Sequence, residues 1–355
     1  MSAPTVRPGR RRVLVIGAGK RVEETVLPAL MCLQGSIEIA GVVARSSRKI
    51  SFYEGEFTAQ TETSPEAFDL ATIDTIVVAV TRSQVPAVIR SLARFDTHHV
   101  SLMLDTPVLD PGGFGAMKMF PRFRRVVCSE DAIALPPIAA ARALIDEGAI
   151  GDVRGIWLFH SGWRNHALAS IRSMIGMRRP SRITVRRWNE KWSETRFRFA
   201  GGVRATVVQP HIHGHGKMLV VGDRGAIADY DTERGESRRI GYVVEDGVYR
   251  GSTIDGKLVA SERDELLFAN LPRAGLPRPT IDNMFKIRGF MELVASLGED
   301  RPALTYDPFE AIYDHQSLRV AERVGTFVDP ATGSRSLFGL GLGLAARLRR
   351  SGTGR

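Results

Sequence analysis

Val13-Leu-Val-Ile-Gly17-Ala-Gly19-Lys20-Arg21 decides how this chain is read. Four apolar residues run into a Gly-x-Gly turn. Val22 to Leu30 then reads as a helix with Val26, Leu27 and Leu30 on one face. A buried strand, a glycine turn and a helix start together make a site for a pyrophosphate. The glycines let the backbone approach the phosphates, and the helix start offers free N–H groups at a positive dipole end. Where the dinucleotide fingerprint has a third Gly or Ala, for close packing of helix on strand, this chain has Val22. The βα context supports a dinucleotide site, with Gly17, Gly19, Lys20 and Arg21 around the pyrophosphate.

The next unit sharpens the cofactor. Ile37 to Val43 reads as a second strand, followed by Ala44-Arg45-Ser46-Ser47-Arg48. NAD sites place an Asp or Glu there to bind the ribose hydroxyls. Cations and hydroxyls suit a 2′-phosphate, so Arg45, Ser46 and Arg48 favour NADP(H) over NAD(H). Thr75–Val80 is a continuous apolar strand of the kind buried on both faces of a parallel sheet, and Ser83–Phe95 is its helix. His99–Leu104 and Arg125–Ser129 are further strands. Strands alternating with helices give a doubly wound Rossmann sheet over residues 13–132.

The pattern changes after the helix Pro136–Glu147, for which Gly148 is a natural cap. Ile156–Phe159, Ser181–Trp188, Glu194–Phe199, Val203–Val208, Lys217–Val221 and Ala226–Tyr230 are strand-like runs separated by turns. They predict an α+β domain at 133–330 on a large, mostly antiparallel open sheet, with Asp282–Leu297 and Pro308–Phe327 as helices.

The net charge of +10 is concentrated at the ends. Residues 1–12 carry Arg7, Arg10, Arg11 and Arg12 and no acid. Residues 331–355 carry Arg335, Arg347, Arg349, Arg350 and Arg355 and no acid. The body between them is close to neutral, so the reading is two basic flexible tails and no nucleic-acid partner. Leu337, Leu340, Leu344 and Leu348 have helical spacing, weakened by Gly339, Gly341 and Gly343. Cys32 and Cys128 form no disulfide or zinc pattern and suit a reducing, cytoplasmic setting. No apolar run is long enough to span a bilayer, and no secretory core follows the N-terminal arginines.

His211-Ile-His213-Gly-His215 is the one histidine cluster. In an extended strand the three imidazoles would share a face and suit a divalent metal. Gly214 and Gly216 suggest a turn instead, and no neighbouring acid orients the rings. The sequence therefore assigns no metal site. A metal-assisted lyase or hydrolase at these histidines stands only as an alternative.

The order of these parts resembles the glucose–fructose oxidoreductase, inositol dehydrogenase and MocA family (Gfo/Idh/MocA) over residues 13–327. The resemblance rests on Val13–Gly19, Ile76–Val80, Val100–Pro107, Leu144–Arg154, Val221–Ile227 and the Phe309–Asp314 helix start. It implies a Rossmann domain followed by a domain on a large open sheet. One side of that sheet commonly forms the subunit interface, here a homodimer or homotetramer, and the other faces the nicotinamide. Val80, Thr81, Asp105 and Pro107 would line the nicotinamide side. It also implies hydride transfer to or from a sugar, cyclitol or related small-molecule substrate.

The departures from that pattern fall on the chemistry. The family's Glu-Lys-Pro is Asp105-Thr106-Pro107 here. A lysine shares the proton that accompanies hydride transfer, whereas Thr106 can hydrogen-bond a carbonyl but is no base near neutrality. The family's Asp and His, four residues apart, correspond to Gly162 and His166. His166, whose ordinary pKa suits acid catalysis, is the expected proton donor, and Arg164 the expected clamp for an anionic substrate group. His160 is a weaker candidate. The altered set suits an imine or a conjugated double bond, or other residues have taken over the acid role. The remaining alternative is a non-catalytic nucleotide-binding protein. The biliverdin reductases resemble this chain in lacking the lysine, which favours an enzyme.

Overall fold

Strand β1 (Arg11–Ile16) is followed by β2 (Ile37–Val43), and Val13, Leu14 and Val15 are almost completely buried. A computed structural model describes residues 9–47, 49–52, 57–162, 164–212, 215–232, 237–274, 279–298 and 305–329. Arg48, His213 and the 336–350 leucine pattern lie outside the described residues.

The chain divides into two compact units. One comprises the chain up to Asp131 with Val244–Arg250 and Ser261–Pro308. The other comprises Ala132–Val243, Gly251–Ala260 and the chain from Phe309.

In the first unit, β1 and β2 join β3 (Lys49–Phe52), β4 (Phe57–Glu62), β5 (Thr75–Val78), β6 (Ser101–Leu104) and β7 (Arg125–Cys128). The order is β3-β4-β2-β1-β5-β6-β7, parallel except for the β3–β4 hairpin. Every residue of β5 and β6 is buried, as expected of strands covered on both faces. The order reverses direction between β1 and β5, which is where open α/β sheets bind ligands. Helix α1 (Leu27–Cys32) packs on β2, and α2 (Val85–Leu92) follows β5.

Two later helices belong to the first unit. Helices α5 (Glu262–Asn270) and α6 (Ile281–Ser296) return to the first unit and pack on α1. Their buried side chains Leu267, Ile287, Phe290, Met291 and Val294 need an apolar partner, and α1 offers Leu27, Leu30 and Met31. Ser261 and Asp264 close a capping box at the start of α5.

The second unit holds α3 (Pro136–Asp146), β8 (Val153–Phe159), α4 (Arg164–Met174), β9 (Pro180–Arg187), β10 (Ser193–Phe199), β11 (Arg204–Gln209), β12 (Lys217–Gly222) and β13 (Ala226–Ala228). Strands β14 (Ser237–Glu245), β15 (Val248–Ile254) and β16 (Lys257–Val259), then α7 (Pro308–Val324) and β17 (Thr326–Val328), complete the topology. The ten-stranded order is β16-β15-β14-β13-β12-β8-β11-β10-β9-β17. β8/β11 and β13/β14 are parallel, and the other pairings registered here are antiparallel. The helix expected through Phe327 stops at Val324, and Gly325 (φ +81°) turns the chain into β17. Alternation along these strands buries one face. Ile156, Leu158, Ile183, Phe197, Val207 and Val220 meet Leu168 and Ile171 of α4.

Both cysteines are free and buried. Burial pushes the Cys32 thiol up to about 12 and holds the Cys128 thiol well above the ordinary thiol value, where the nearby carboxylates of Glu130 and Asp105 add to it. Neither thiol is nucleophilic at neutral pH. Iodoacetamide at pH 8 should leave the native chain unmodified and alkylate both residues after unfolding, read by mass. Rapid modification of the native chain would contradict this burial.

Candidate active site

In the first unit the site is built from the turn after β1. Gly17 (φ +124°) binds back through its N–H to the Val43 carbonyl at 2.8 Å, and the Ala79 N–H donates to the Ile16 carbonyl at 2.8 Å. A Cβ on Gly17 would lie 2.1 Å from the Ala79 carbonyl oxygen, so β1 and β5 close on each other only with glycine between them. A Cβ on Gly19 would meet nothing within 4 Å. The turn is tight beneath Gly17 and open above Gly19, the shape that lets a phosphate approach backbone N–H groups.

The helix that follows begins at Lys20, passes through a π-turn at Val22–Val26 and continues as α1. Val22, in place of the fingerprint's third glycine, is fully buried at the start of that wide turn. Lys20 is 83% exposed and pairs loosely with Glu24 at 3.6 Å.

Arg21, expected on the pyrophosphate, is ion-paired to two carboxylates. Its Nη1 lies 2.8 Å from Asp131 Oδ2 and its Nε 3.5 Å from Asp105 Oδ1, with Phe290 beneath the guanidinium. Burial opposes its charge, but Asp131 and Asp105 outweigh that and raise its pKa. Asp105 also accepts a 2.9 Å hydrogen bond from the Ser129 hydroxyl. The partner Asp131 is 110 positions away, which no local motif announces.

Val80, Thr106 and Pro107 are half-buried just past β5 and β6, and Thr81 is exposed with its hydroxyl bonded to Gln84 at 2.9 Å. Arg45 and Ser46 are exposed after β2. The Thr61 hydroxyl donates to the Ser46 carbonyl at 3.0 Å and pins that loop.

In the second unit, His166 sits half-buried in the first turns of α4, and Arg164 begins the same helix. His160 has a left-handed backbone (φ +55°) at the end of β8. Its Nδ1–H donates to the Pro210 carbonyl at 2.7 Å, which fixes the orientation of the ring. Trp192 packs edge-on against this imidazole, with centroids 5.1 Å apart. The Gly162 N–H donates to His211 Nδ1 at 2.9 Å, and the Gln209 amide donates to the Gly162 carbonyl at 2.8 Å. So His160, His211 and the lead into α4 form one hydrogen-bonded knot. The sequence reading ranked His160 low, since its αL backbone and its tie to Pro210 have no local signature. Strand β11 ends at Gln209 and β12 begins at Lys217, so His211 and His215 lie outside both strands. Among the described residues no group of three His, Cys, Asp or Glu side chains is placed to hold a metal ion.

No protein-family model matches the chain, and no curated protein matches it in sequence. Solved structures do. Myo-inositol dehydrogenase from Lactobacillus casei, in complex with NAD(H) and myo-inositol, is 11% identical. It superposes with a TM-score of 0.60 over 92% of this chain and 99% of that one. This chain has the fold of the Gfo/Idh/MocA oxidoreductases. GenD2 from gentamicin A biosynthesis, in complex with NAD, gives 17% identity and a TM-score of 0.60, covering 93% and 99%. The same Gfo/Idh/MocA-type fold relates the chain to a super-repressor mutant of Gal80p from Saccharomyces cerevisiae, at 14% identity and a TM-score of 0.59, covering 90% and 98%.

Proposed function

We propose that the chain is a nicotinamide-dependent oxidoreductase of the Gfo/Idh/MocA type that favours NADP(H). The observation that carries this is the turn at Gly17–Gly19, closed on Ala79 below and open above, at the point where the sheet reverses order. The neighbours crystallised with NAD or NAD(H) support a nicotinamide. The Gly17–Gly19 backbone and Lys20 would hold the pyrophosphate. Arg45, Ser46 and Arg48 would hold a 2′-phosphate, since no acid stands at that strand end. A nicotinamide bound here supplies or accepts a hydride.

The chain's own groups favour one substrate class. Thr106 orients a substrate heteroatom by a hydrogen bond but transfers no proton near neutrality. With Asp105 already engaged by Arg21 and Ser129, the usual lysine route for the proton has no equivalent on β6. This favours reduction of an imine or a conjugated double bond over oxidation of a sugar hydroxyl. His166 is the proposed proton donor, and Arg164 the proposed clamp for an anionic group.

Titration with NADPH and NADH, followed by nicotinamide fluorescence, tests the cofactor. NADPH should bind at least about tenfold more tightly, a difference of one charge-assisted contact. Equal affinity removes the Arg45–Arg48 assignment. His166→Ala should then lower kcat about 100-fold or more on an imine or enone substrate without changing NADPH affinity. Unchanged kcat removes the role of His166. A second reading is a non-catalytic nucleotide-binding protein, since a super-repressor mutant of Gal80p is among the structures with a similar fold. It predicts tight NADPH binding and no turnover on carbonyl, imine or enone substrates.

A further inference from the structure

Four residues before His166, where the Gfo/Idh/MocA pattern has an aspartate, this chain has Gly162. A Cβ on Gly162 would lie 3.8 Å from the His166 Cβ, so that position borders the histidine and offers it no carboxylate. Within the second unit a different carboxylate reaches the same end of the sheet.

Strand register places it. Val220 on β12 pairs with Ile227 on β13, and both are buried on the face that carries α4. Two residues on, alternation returns Met218 and Asp229 to that face. Met218 is buried, and Asp229, one residue beyond β13, is half-buried. The Asp229 N–H donates to the Met218 carbonyl at 3.3 Å, and the Met218 N–H donates to Asp229 Oδ1 at 2.7 Å. Its neighbours on this face of β11, β12 and β13 are Val207, Gln209, Met218, Val220 and Ile227, none of them charged. The carbonyl of Lys217, beside Met218, accepts the Ser161 hydroxyl at 3.2 Å, and Ser161 leads through Gly162 into α4. Asp229 and His166 therefore stand at the same end of the sheet and on the same side of it.

Burial raises the Asp229 pKa from the ordinary carboxylate value, against the Met218 N–H and the charge of Lys217, which lower it. Asp229 is in no ion pair among the described residues. A carboxylate so placed is short of countercharge, and a cation beside it would offset what burial costs.

We infer that Asp229 binds a positively charged C=N group, so that the substrate is an iminium ion rather than a conjugated ketone. This rests on the oxidoreductase reading above and narrows it. His166 donates a proton to the imine nitrogen, and the resulting cation pairs with the Asp229 carboxylate. The iminium carbon accepts the hydride that a bound nicotinamide supplies, and the C=N π pair becomes the lone pair of a neutral amine. No second proton is required, which fits a chain with Thr106 where the family has lysine. A neutral enone gains no charge pairing from Asp229.

The full chain is tested with three probes of similar size: pyrroline (a cyclic imine), cyclopentenone, and N,N-dimethylpyrrolidinium, a cation with no reducible bond. With NADP+ present, Asp229→Asn should weaken binding of the dimethylpyrrolidinium cation, read by calorimetry, at least about tenfold. The amide keeps an acceptor for the Met218 N–H and loses only the charge. The same change should lower kcat/KM for pyrroline at least about 50-fold at wild-type NADPH affinity and urea midpoint, and Asp229→Glu should recover part of it. If Asp229→Asn does not fold, wild-type binding of the cation against that of cyclopentenone decides.

Equal binding of the cation by wild type and Asp229→Asn overturns the proposal, as does a wild-type preference for cyclopentenone. Turnover of pyrroline at the wild-type rate in Asp229→Asn keeps the oxidoreductase reading and removes Asp229 from it. Cation binding that Asp229→Asn loses, with no turnover of either substrate, keeps the Asp229 site and overturns the oxidoreductase reading instead.

Discussion

Gly17→Ala should abolish measurable NADPH binding and destabilise the first unit, whereas Gly19→Ala should weaken binding in a chain of wild-type stability. The two glycines are two positions apart and meet opposite surroundings. A methyl group at Gly17 would lie 2.1 Å from the Ala79 carbonyl oxygen and 2.8 Å from its carbon. Both are backbone atoms, so no rotamer change relieves the overlap. The backbone φ of +124° is a second obstacle for an L-residue. Nor can the turn retreat without cost, since the Gly17 N–H is bonded to Val43 and the Ala79 N–H to Ile16. The substitution must spread β1 from β5 in a sheet whose interior is close-packed, at a cost of about 3 kcal/mol or more. At Gly19 an added methyl group meets nothing, so stability should stay within about 0.5 kcal/mol. That open space is where a phosphate would approach, and affinity should fall at least about tenfold. Urea unfolding and fluorescence titration of both variants separate the effects. Wild-type NADPH affinity in Gly17→Ala would remove the dinucleotide assignment altogether.

Strands whose physics is local were legible in the sequence. Continuous apolar runs marked β5 and β6, and alternation marked β10 to β12, each within a residue or two. The hairpin β3–β4 lies at the edge of its sheet and contains Lys49, Gln60, Thr61 and Glu62, so it shows no apolar pattern. Strands β14 to β16 were missed for the same reason: Arg238, Arg239, Glu245 and Lys257 interrupt the alternation. Helix α5 was readable in principle, because Ser261 and Asp264 have capping-box spacing before Leu266 and Leu267. The return of α5 and α6 to the first unit is tertiary and has no local sign.

The site divides in the same way. The Gly17 turn is a local motif and was placed from sequence. The ion pairs of Arg21 have no local sign, because Asp105 and Asp131 stand far along the chain from it.

Arg172→Met should destabilise the second unit by about 3–5 kcal/mol. Its side chain is 1% exposed and so is that of Asp314, with Nη1 and Oδ2 2.6 Å apart. Nη2 donates to Glu310 and to the Met177 carbonyl, both at 2.7 Å, and Nε donates to the Arg178 carbonyl at 3.0 Å. One guanidinium thereby fastens the end of α4, the helix that carries His166, to α7. Arg179 grips Glu310 from the other side through both of its oxygens, at 2.8 and 2.5 Å. Burial alone would raise the Glu310 pKa, but the bonds from Arg179 and Arg172 outweigh it and bring it down to about 2. The sign follows from that depression. Glu310 contributes stability at pH values above the ordinary carboxylate range, and the contribution is lost as pH falls from about 5 toward 2. Removing Arg172 takes the guanidinium away from the buried Asp314 carboxylate, which is why the loss exceeds that of an exposed pair. Arg172→Met with Asp314→Leu should therefore recover part of the stability that the single change removes. Urea unfolding at pH 7 and at pH 4 gives the reading. The single variant should have the lower midpoint at pH 7, and its midpoint should fall less between the two pH values than that of wild type. A single variant as stable as wild type at pH 7 would mean that α4 is held by its apolar face alone.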